Sequence, residues 1–160
     1  MAKASFNSLL GKLVAEVDES GVCSLEFDES SENFNDEHPF FKQLEEELKE
    51  YFMGERTTFD VPLNPKGTEF QRAVWQCLCS IPYGHTISYT QEAKMIKRPT
   101  AMRAVANANG KNPIAIIIPC HRVIAKDRSL GGYSGGLWRK EFLLDLEKKT
   151  DESCYSNRLI

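Results

Sequence analysis

The chain has 160 residues, 41% of them hydrophobic and 27% charged, with a formal net charge of −3. That is room for one domain or two small ones of ordinary globular composition, and no apolar run is long enough for a transmembrane helix. The small net charge conceals a split: residues 1–63 carry 5 Lys and Arg against 15 Asp and Glu, whereas residues 64–149 carry 14 against 6, so the second half is suited to a polyanion.

Met1-Ala2-Lys3-Ala4-Ser5 lacks the apolar core of a signal peptide. Residues 9–17 form a strand candidate, Gly21 marks a turn, and residues 22–27 alternate so that Cys23, Leu25 and Phe27 share a face. A polar loop covers 30–37. Pro39 then opens a helix with an apolar stripe of Phe41, Leu44, Leu48 and Phe52. His38 reads as the helix-entry residue and Glu45-Glu46-Glu47 as the wet face. Residues 59–66, with Pro62 and Pro65, read as a linker. The expected organisation is an acidic α/β domain over 1–63, a basic domain over 64–149 and a tail over 150–160.

Thr68-x-x-Gln71 is a capping box opening a helix that bears Phe70, Val74, Trp75 and Leu78. Cys77-x-Cys79 is too tight for the usual zinc pair, and the five cysteines follow no framework spacing, which predicts free thiols in a reducing cytosol. Ile81-Pro82-Tyr83-Gly84 ends this helix. Ser88-x-x-Gln91 is a second capping box, for a short helix to about residue 96. After Lys97-Arg98, Pro99 is expected at the first position of another helix running to about Asn109, with Gly110 past its end. Two short helices joined by a tight turn form a helix-turn-helix signature. The second carries Arg103 among Ala101, Ala104, Ala106 and Ala108, a surface that a backbone can approach closely. An alanine-rich packing helix would read the same way.

Residues 114–118 are predicted as a buried apolar strand running into Pro119-Cys120-His121-Arg122-Val123. A thiol at a strand mouth, with an imidazole beside it, is a candidate nucleophile, because a nearby imidazole or cation raises the thiolate fraction. The plain alternative is a buried structural cysteine. Beyond Lys126-Asp127-Arg128, Gly131-Gly132-Tyr133-Ser134-Gly135-Gly136 is too permissive for regular structure and lacks the ending of a phosphate loop. A last helix is expected from Leu137 to about Lys149, with Trp138, Phe142, Leu143 and Leu146 inward and Glu147 near its end.

Taken in order, Ile81-Pro82-Tyr83-Gly84, Ser88-Tyr89, Met102-Arg103-Ala104-Val105, Asn112-Pro113, Pro119-Cys120-His121-Arg122-Val123 and Tyr133-Ser134-Gly135-Gly136-Leu137 closely resemble the O6-alkylguanine-DNA alkyltransferases, the methylated-DNA–protein-cysteine methyltransferases. The resemblance spans about residues 66–148. It implies a ribonuclease-H-like α/β N-terminal domain followed by a mostly α winged-helix, helix-turn-helix domain. It also implies direct-reversal repair: the alkyl group of O6-alkylguanine, and of O4-alkylthymine, moves irreversibly to the protein after the base flips out of duplex DNA.

By position, the resemblance makes Cys120 the acceptor, His121 the base acting through a water, Glu147 the carboxylate that orients His121, and Asn112 the brace of the turn. Tyr89 becomes the proton donor to the leaving guanine and a phosphate-side contact. Arg103 becomes the finger that fills the stack. Tyr133, Ser134 and the carbonyl of Val123 line the base pocket. Thr90, Arg98 and Lys126 are the expected phosphate contacts, from their places at the helix-turn-helix and beside the active-site loop. Ala115 stands where some members carry a pocket-lining proline. Cys23, His38 and His85 have no ligand spacing, so no metal is expected. No cofactor, membrane or obligate protein partner is expected either, and the implied location is the cytoplasm, at the nucleoid. Two other classes fit parts of the pattern: a thiol hydrolase using Cys120, His121 and Glu147, and a non-catalytic DNA binder or regulator.

Overall fold

The computed structural model describes residues 1–159, with side chains through residue 150. The chain divides into two compact units. One comprises Met1–Lys66 with Pro113–Ile117, and the other Gly67–Asn112 with Ile118–Ile160.

The first unit is a three-stranded antiparallel meander, β1 (Ala2–Ser8), β2 (Gly11–Asp18) and β3 (Gly21–Phe27), with one helix, α1 (Pro39–Phe52). Alternation places Ala4, Phe6, Leu13, Ala15, Val17 and Leu25 in the core with Phe41, Leu44, Leu48 and Tyr51 of α1. Phe6 and Phe41 meet with ring centroids 6.0 Å apart. Two passing segments close the outer edge of β3, one through the bridge between Val22 and Leu63 and one through the bridge between Leu25 and Ile114. Gly21 lies at φ 154°, where a Cβ would come within 2.5 Å of the Pro62 carbonyl oxygen.

Several expectations change here. β1 was not read from the sequence, and β2 begins at Gly11 because Leu9 and Leu10 form the hairpin turn. Segment 59–66 is paired to β3 rather than free: Val22 N–H donates to Pro62 O and Asn64 N–H to Val22 O, both at 2.8 Å. Glu47 is buried rather than wet, since its carboxylate accepts the backbone N–H groups of Asp60 and Val61 and the side-chain amide of Gln43. His38 does cap α1, its Nδ1 accepting from Phe40 N–H.

The predicted strand over 114–118 is a single bridging residue, Ile114, followed by a tight turn. Ile117 N–H bonds back to Ala115 O at 2.8 Å, and Ile116 takes φ 71°, a left-handed conformation that a β-branched residue adopts only when its surroundings enforce it. Buried apolar runs do not distinguish a strand from a packed turn.

The second unit contains α2 (Glu69–Leu78), α3 (Tyr89–Met95), α4 (Met102–Gly110) and α5 (Leu137–Leu159). Both expected capping boxes form, at Thr68 with Gln71 and at Ser88 with Gln91. The α3–α4 turn takes Lys97 to φ 63°, and α4 begins at Met102 rather than Pro99, because residues 98–101 close a separate turn through Ala101 N–H to Arg98 O. The Trp75 indole N–H donates to Ala108 O at 2.8 Å, locking α2 to α4. Helix α5 continues past the expected end at Lys149; the side chains of 151–160 lie outside the described residues, so the expected tail is not assessed beyond its backbone. Trp138 is 56% exposed, not inward; the inward residues of this face are Arg139, Lys140, Leu143 and Glu147. No helix among the described residues is long and apolar enough to cross a membrane.

Two short strands organise the site. β4 (Ile87–Ser88) immediately precedes α3, β5 (Val123–Ile124) immediately follows the Cys120 turn, and they pair in parallel with Ile87 opposite Val123. This pairing joins the start of the helix-turn-helix to the thiol-bearing segment.

Candidate active site

Cys120 opens a single 3₁₀ turn, Cys120–Arg122, after Pro119. The Asn112 amide holds this turn from one side: its Nδ2 donates to Ile118 O at 2.8 Å and reaches Cys120 Sγ at 3.4 Å. The thiol is buried. Burial pushes its pKa up, against the Asn112 hydrogen bond and the Lys140 charge, which pull it down. The resting group is therefore a thiol that needs a base to become a nucleophile.

His121 is fully buried and neutral, since burial depresses its pKa more than Glu147 raises it. Its Nε2 lies 2.7 Å from Glu147 Oε2. A carboxylate accepts only, so Nε2 carries the proton and Nδ1 keeps its lone pair. Nδ1 has no partner among the described protein atoms, which leaves it able to take a proton.

Glu147 is a multiple acceptor at the centre of this cluster. Besides His121, it receives Arg122 Nε at 2.8 Å, Arg122 Nη2 at 3.1 Å and Gly84 N–H at 3.3 Å. Burial alone would raise the carboxyl, but the hydrogen bonds from His121 and Arg122, with the Arg122 charge, hold it at about 2. Arg122 also donates to Ile81 O at 2.7 Å and stacks 5.6 Å from the Tyr83 ring. The Ile81-Pro82-Tyr83-Gly84 turn is thereby tied to the His121–Glu147 cluster.

On the other side, Lys140 is fully buried, and its ammonium donates to Val123 O at 2.6 Å and Gly132 O at 3.1 Å. Burial lowers its pKa to about 8, and Cys120 opposes this once it is a thiolate. Tyr89, at the start of α3, packs beneath the glycine-rich loop. A Cβ on Gly131 (φ +69°) would come within 2.8 Å of the Tyr89 hydroxyl, and the backbone of Gly132 hydrogen-bonds that hydroxyl. Burial keeps the phenol protonated. Tyr133 is also held neutral by burial, and its hydroxyl is without a partner among the described residues. Ser134 is exposed at the loop tip.

The outward face of α4 presents Met102, Arg103, Ala104, Ala106 and Asn107, while Val105, Ala108 and Asn109 face inward. Thr90 donates to Met102 Sδ at 3.0 Å across the two helices. Arg98 in the turn lies 5.8 Å from the Phe70 ring, and both Arg98 and Lys126 are exposed.

Residues 69–149 match the family model described as the 6-O-methylguanine DNA methyltransferase, DNA binding domain, and residues 1–65 match the ribonuclease-like domain of the same proteins. The chain belongs to the 6-O-methylguanine DNA methyltransferase family. It is 46% identical over 153 residues to a methylated-DNA–protein-cysteine methyltransferase of Methanosarcina acetivorans, covering 92% of this chain and 98% of that one. A Haemophilus influenzae protein of the same name is 43% identical over 150 residues, covering 89% and 84%. Among solved structures, a Mycobacterium tuberculosis OGT in complex with DNA superposes with a TM-score of 0.86 at 43% identity, covering 94% of each chain.

Within the frame of a 6-O-methylguanine DNA methyltransferase, the geometry brings Cys120, His121, Glu147, Asn112, Val123, Tyr133 and Tyr89 into one unit. Reading the sequence missed two members of the cluster, Arg122 and Lys140. Both are cations, which in a basic segment read as surface charge. The one available signal was spacing: Lys140, Leu143 and Glu147 recur at the three- and four-residue steps of a buried helical face.

Proposed function

We propose that this chain removes the alkyl group from O6 of guanine, and from O4 of thymine, in duplex DNA by moving it to Cys120. The observation that carries the reading is the buried His121, with Nε2 committed to Glu147 and Nδ1 free, adjacent to a buried thiol. His121 Nδ1 takes the Cys120 proton through a water. The thiolate attacks the alkyl carbon in line, a carbon–sulfur bond forms, and the carbon–oxygen bond to guanine breaks. Tyr89 donates a proton to the departing base, a role that suits a phenol held neutral by burial. The product is a thioether with no good leaving group, so each molecule acts once.

In this reading Asn112 steadies the turn, while Tyr133 and Ser134 bound the base pocket. The Val123 carbonyl accepts the exocyclic amine with its second lone pair, the first being taken by Lys140. The target carbon is inaccessible inside a duplex, so the nucleotide must flip, at a cost of a few kcal/mol. Arg103, on the small-residue face of α4, occupies the gap. Thr90, Arg98 and Lys126 hold phosphates. The protein works on chromosomal DNA in the cytoplasm. The test is Cys120→Ser: it should bind duplex containing O6-methylguanine and take up no methyl group. Methyl transfer to any other cysteine in that variant would refute the assignment.

A further inference from the structure

The inward face of α3 carries a carboxyl group that the proposed chemistry does not use. Glu92 is fully buried. Its Oε1 accepts the Asn109 side-chain N–H at 2.7 Å, joining α3 to α4. Among the described residues its Oε2 has no partner, and neither does Asn109 Oδ1. Among the described residues no cation pairs with Glu92. The titratable groups that sense its charge are Cys77 of α2, Tyr89 of α3 and Cys120, all neutral at rest.

Two orphaned acceptors on a hydrogen-bonded pair, in a buried site, are a costly arrangement for an ionised carboxylate and an amide. One proton resolves both, because a carboxylic acid and a primary amide form a two-bond ring with one N–H···O and one O–H···O contact. We propose that Glu92 is a neutral carboxylic acid whose Oε2–H donates to Asn109 Oδ1, and that this acid–amide pair is a positioning device seating α4 on α3. Its DNA consequence rests on the functional reading above: α3 carries Tyr89 and Thr90, α4 carries Arg103, and their relative seating sets whether one duplex can meet all three.

Burial raises the Glu92 carboxyl to about 7, the Asn109 hydrogen bond opposing. For a group whose folded pKa is raised, its stabilising contribution is fully present below the unfolded value and lost as pH rises through the folded one. Between the ordinary carboxyl value of about 4.3 and about 7, the folding equilibrium should therefore weaken by roughly two to three powers of ten from this group alone. Ionisation sets two oxygens face to face, loosening α4 and weakening the grip on DNA.

Glu92→Gln is the informative variant, since a glutamine amide makes the same two-bond ring with Asn109 at every pH. Three measurements apply to the full chain: the carboxyl titration of Glu92 by NMR with labelled glutamate, the unfolding midpoint of wild type and E92Q from pH 5 to 8.5, and affinity for undamaged duplex over the same range at fixed ionic strength. We expect the Glu92 carboxyl to titrate near 7, and E92Q to gain on wild type in stability and in duplex affinity as pH rises. A Glu92 carboxyl titrating near 4, or a stability difference independent of pH, overturns the acid–amide pair. If the pair holds but the affinity difference does not change with pH, the positioning role is refuted while the pair stands. The wild-type titration decides the protonation state even if E92Q fails to fold.

Discussion

Replacing Glu147 by Gln removes the carboxylate that holds both His121 and Arg122. The consequence can be sized from either partner of the same interaction. The Glu147 carboxyl lies at about 2 in the folded chain, against an ordinary value of about 4.3, and that difference corresponds to roughly 3 kcal/mol of stability at neutral pH. Breaking a buried ion pair by removing one partner costs about 3–5 kcal/mol, because the Arg122 guanidinium is left buried without a counter-charge. Both routes give E147Q a loss of about 3 kcal/mol or more at pH 7. A depressed carboxyl contributes stability that is present above its unfolded value and lost as pH falls towards its folded value. The difference between wild type and E147Q should therefore shrink as pH falls from about 4.3 to about 2. Urea unfolding at a series of pH values measures it. Repair by E147Q, assayed on folded protein below the urea transition, should slow by about 10²–10⁴-fold, since His121 loses the partner that fixes its tautomer. A loss below about 1 kcal/mol at pH 7, or one that does not change with acid, would refute the argument that Glu147 is the charged centre of the site.

Other outcomes follow from single residues. Gly131→Ala should slow repair and lower stability by about 1 kcal/mol or more, because φ +69° is unfavourable for alanine and the new methyl meets the Tyr89 hydroxyl; thermal unfolding with a duplex repair assay checks both. Arg103→Ala should slow repair in duplex far more than transfer from a free base analogue, and equal losses would assign Arg103 to folding or to the pocket. Binding to undamaged duplex should be weak, sequence-independent and steeply salt-dependent, and removing charge at Arg98 or Lys126 should reduce the slope of log affinity against log salt by about one each. A strong preference for one sequence would favour a regulator.

What was legible in the sequence was mostly local. The boxes at Thr68 and Ser88 and the cap at His38 were readable because a side chain bonds backbone two or three residues away, which spacing alone specifies. Cys120 and His121 were legible as neighbours in the chain, and Glu147 became so through the family pattern. The nonlocal features were not. Glu47, Glu92, Arg122 and Lys140 are charged residues whose burial depends on partners 14 to 41 residues away, such as Val61, Asn109, Ile81 and Val123. Composition assigns such residues to the surface. The run 114–118 looked like a strand because hydrophobicity reports burial and not backbone conformation; the left-handed Ile116 has no signature in a β-branched run.

The central claim is that Cys120 itself carries away the alkyl group. Mixing the intact protein with an excess of duplex containing O6-methylguanine, and then measuring the mass of the whole chain and its peptides, tests that claim directly. The expected result is a gain of one methylene per molecule, confined to the peptide containing Cys120, with the duplex restored to guanine and no further turnover. An unchanged protein mass while the lesion disappears would mean hydrolysis, and an unchanged mass with the lesion intact would mean binding alone; either result would rule out transfer to Cys120.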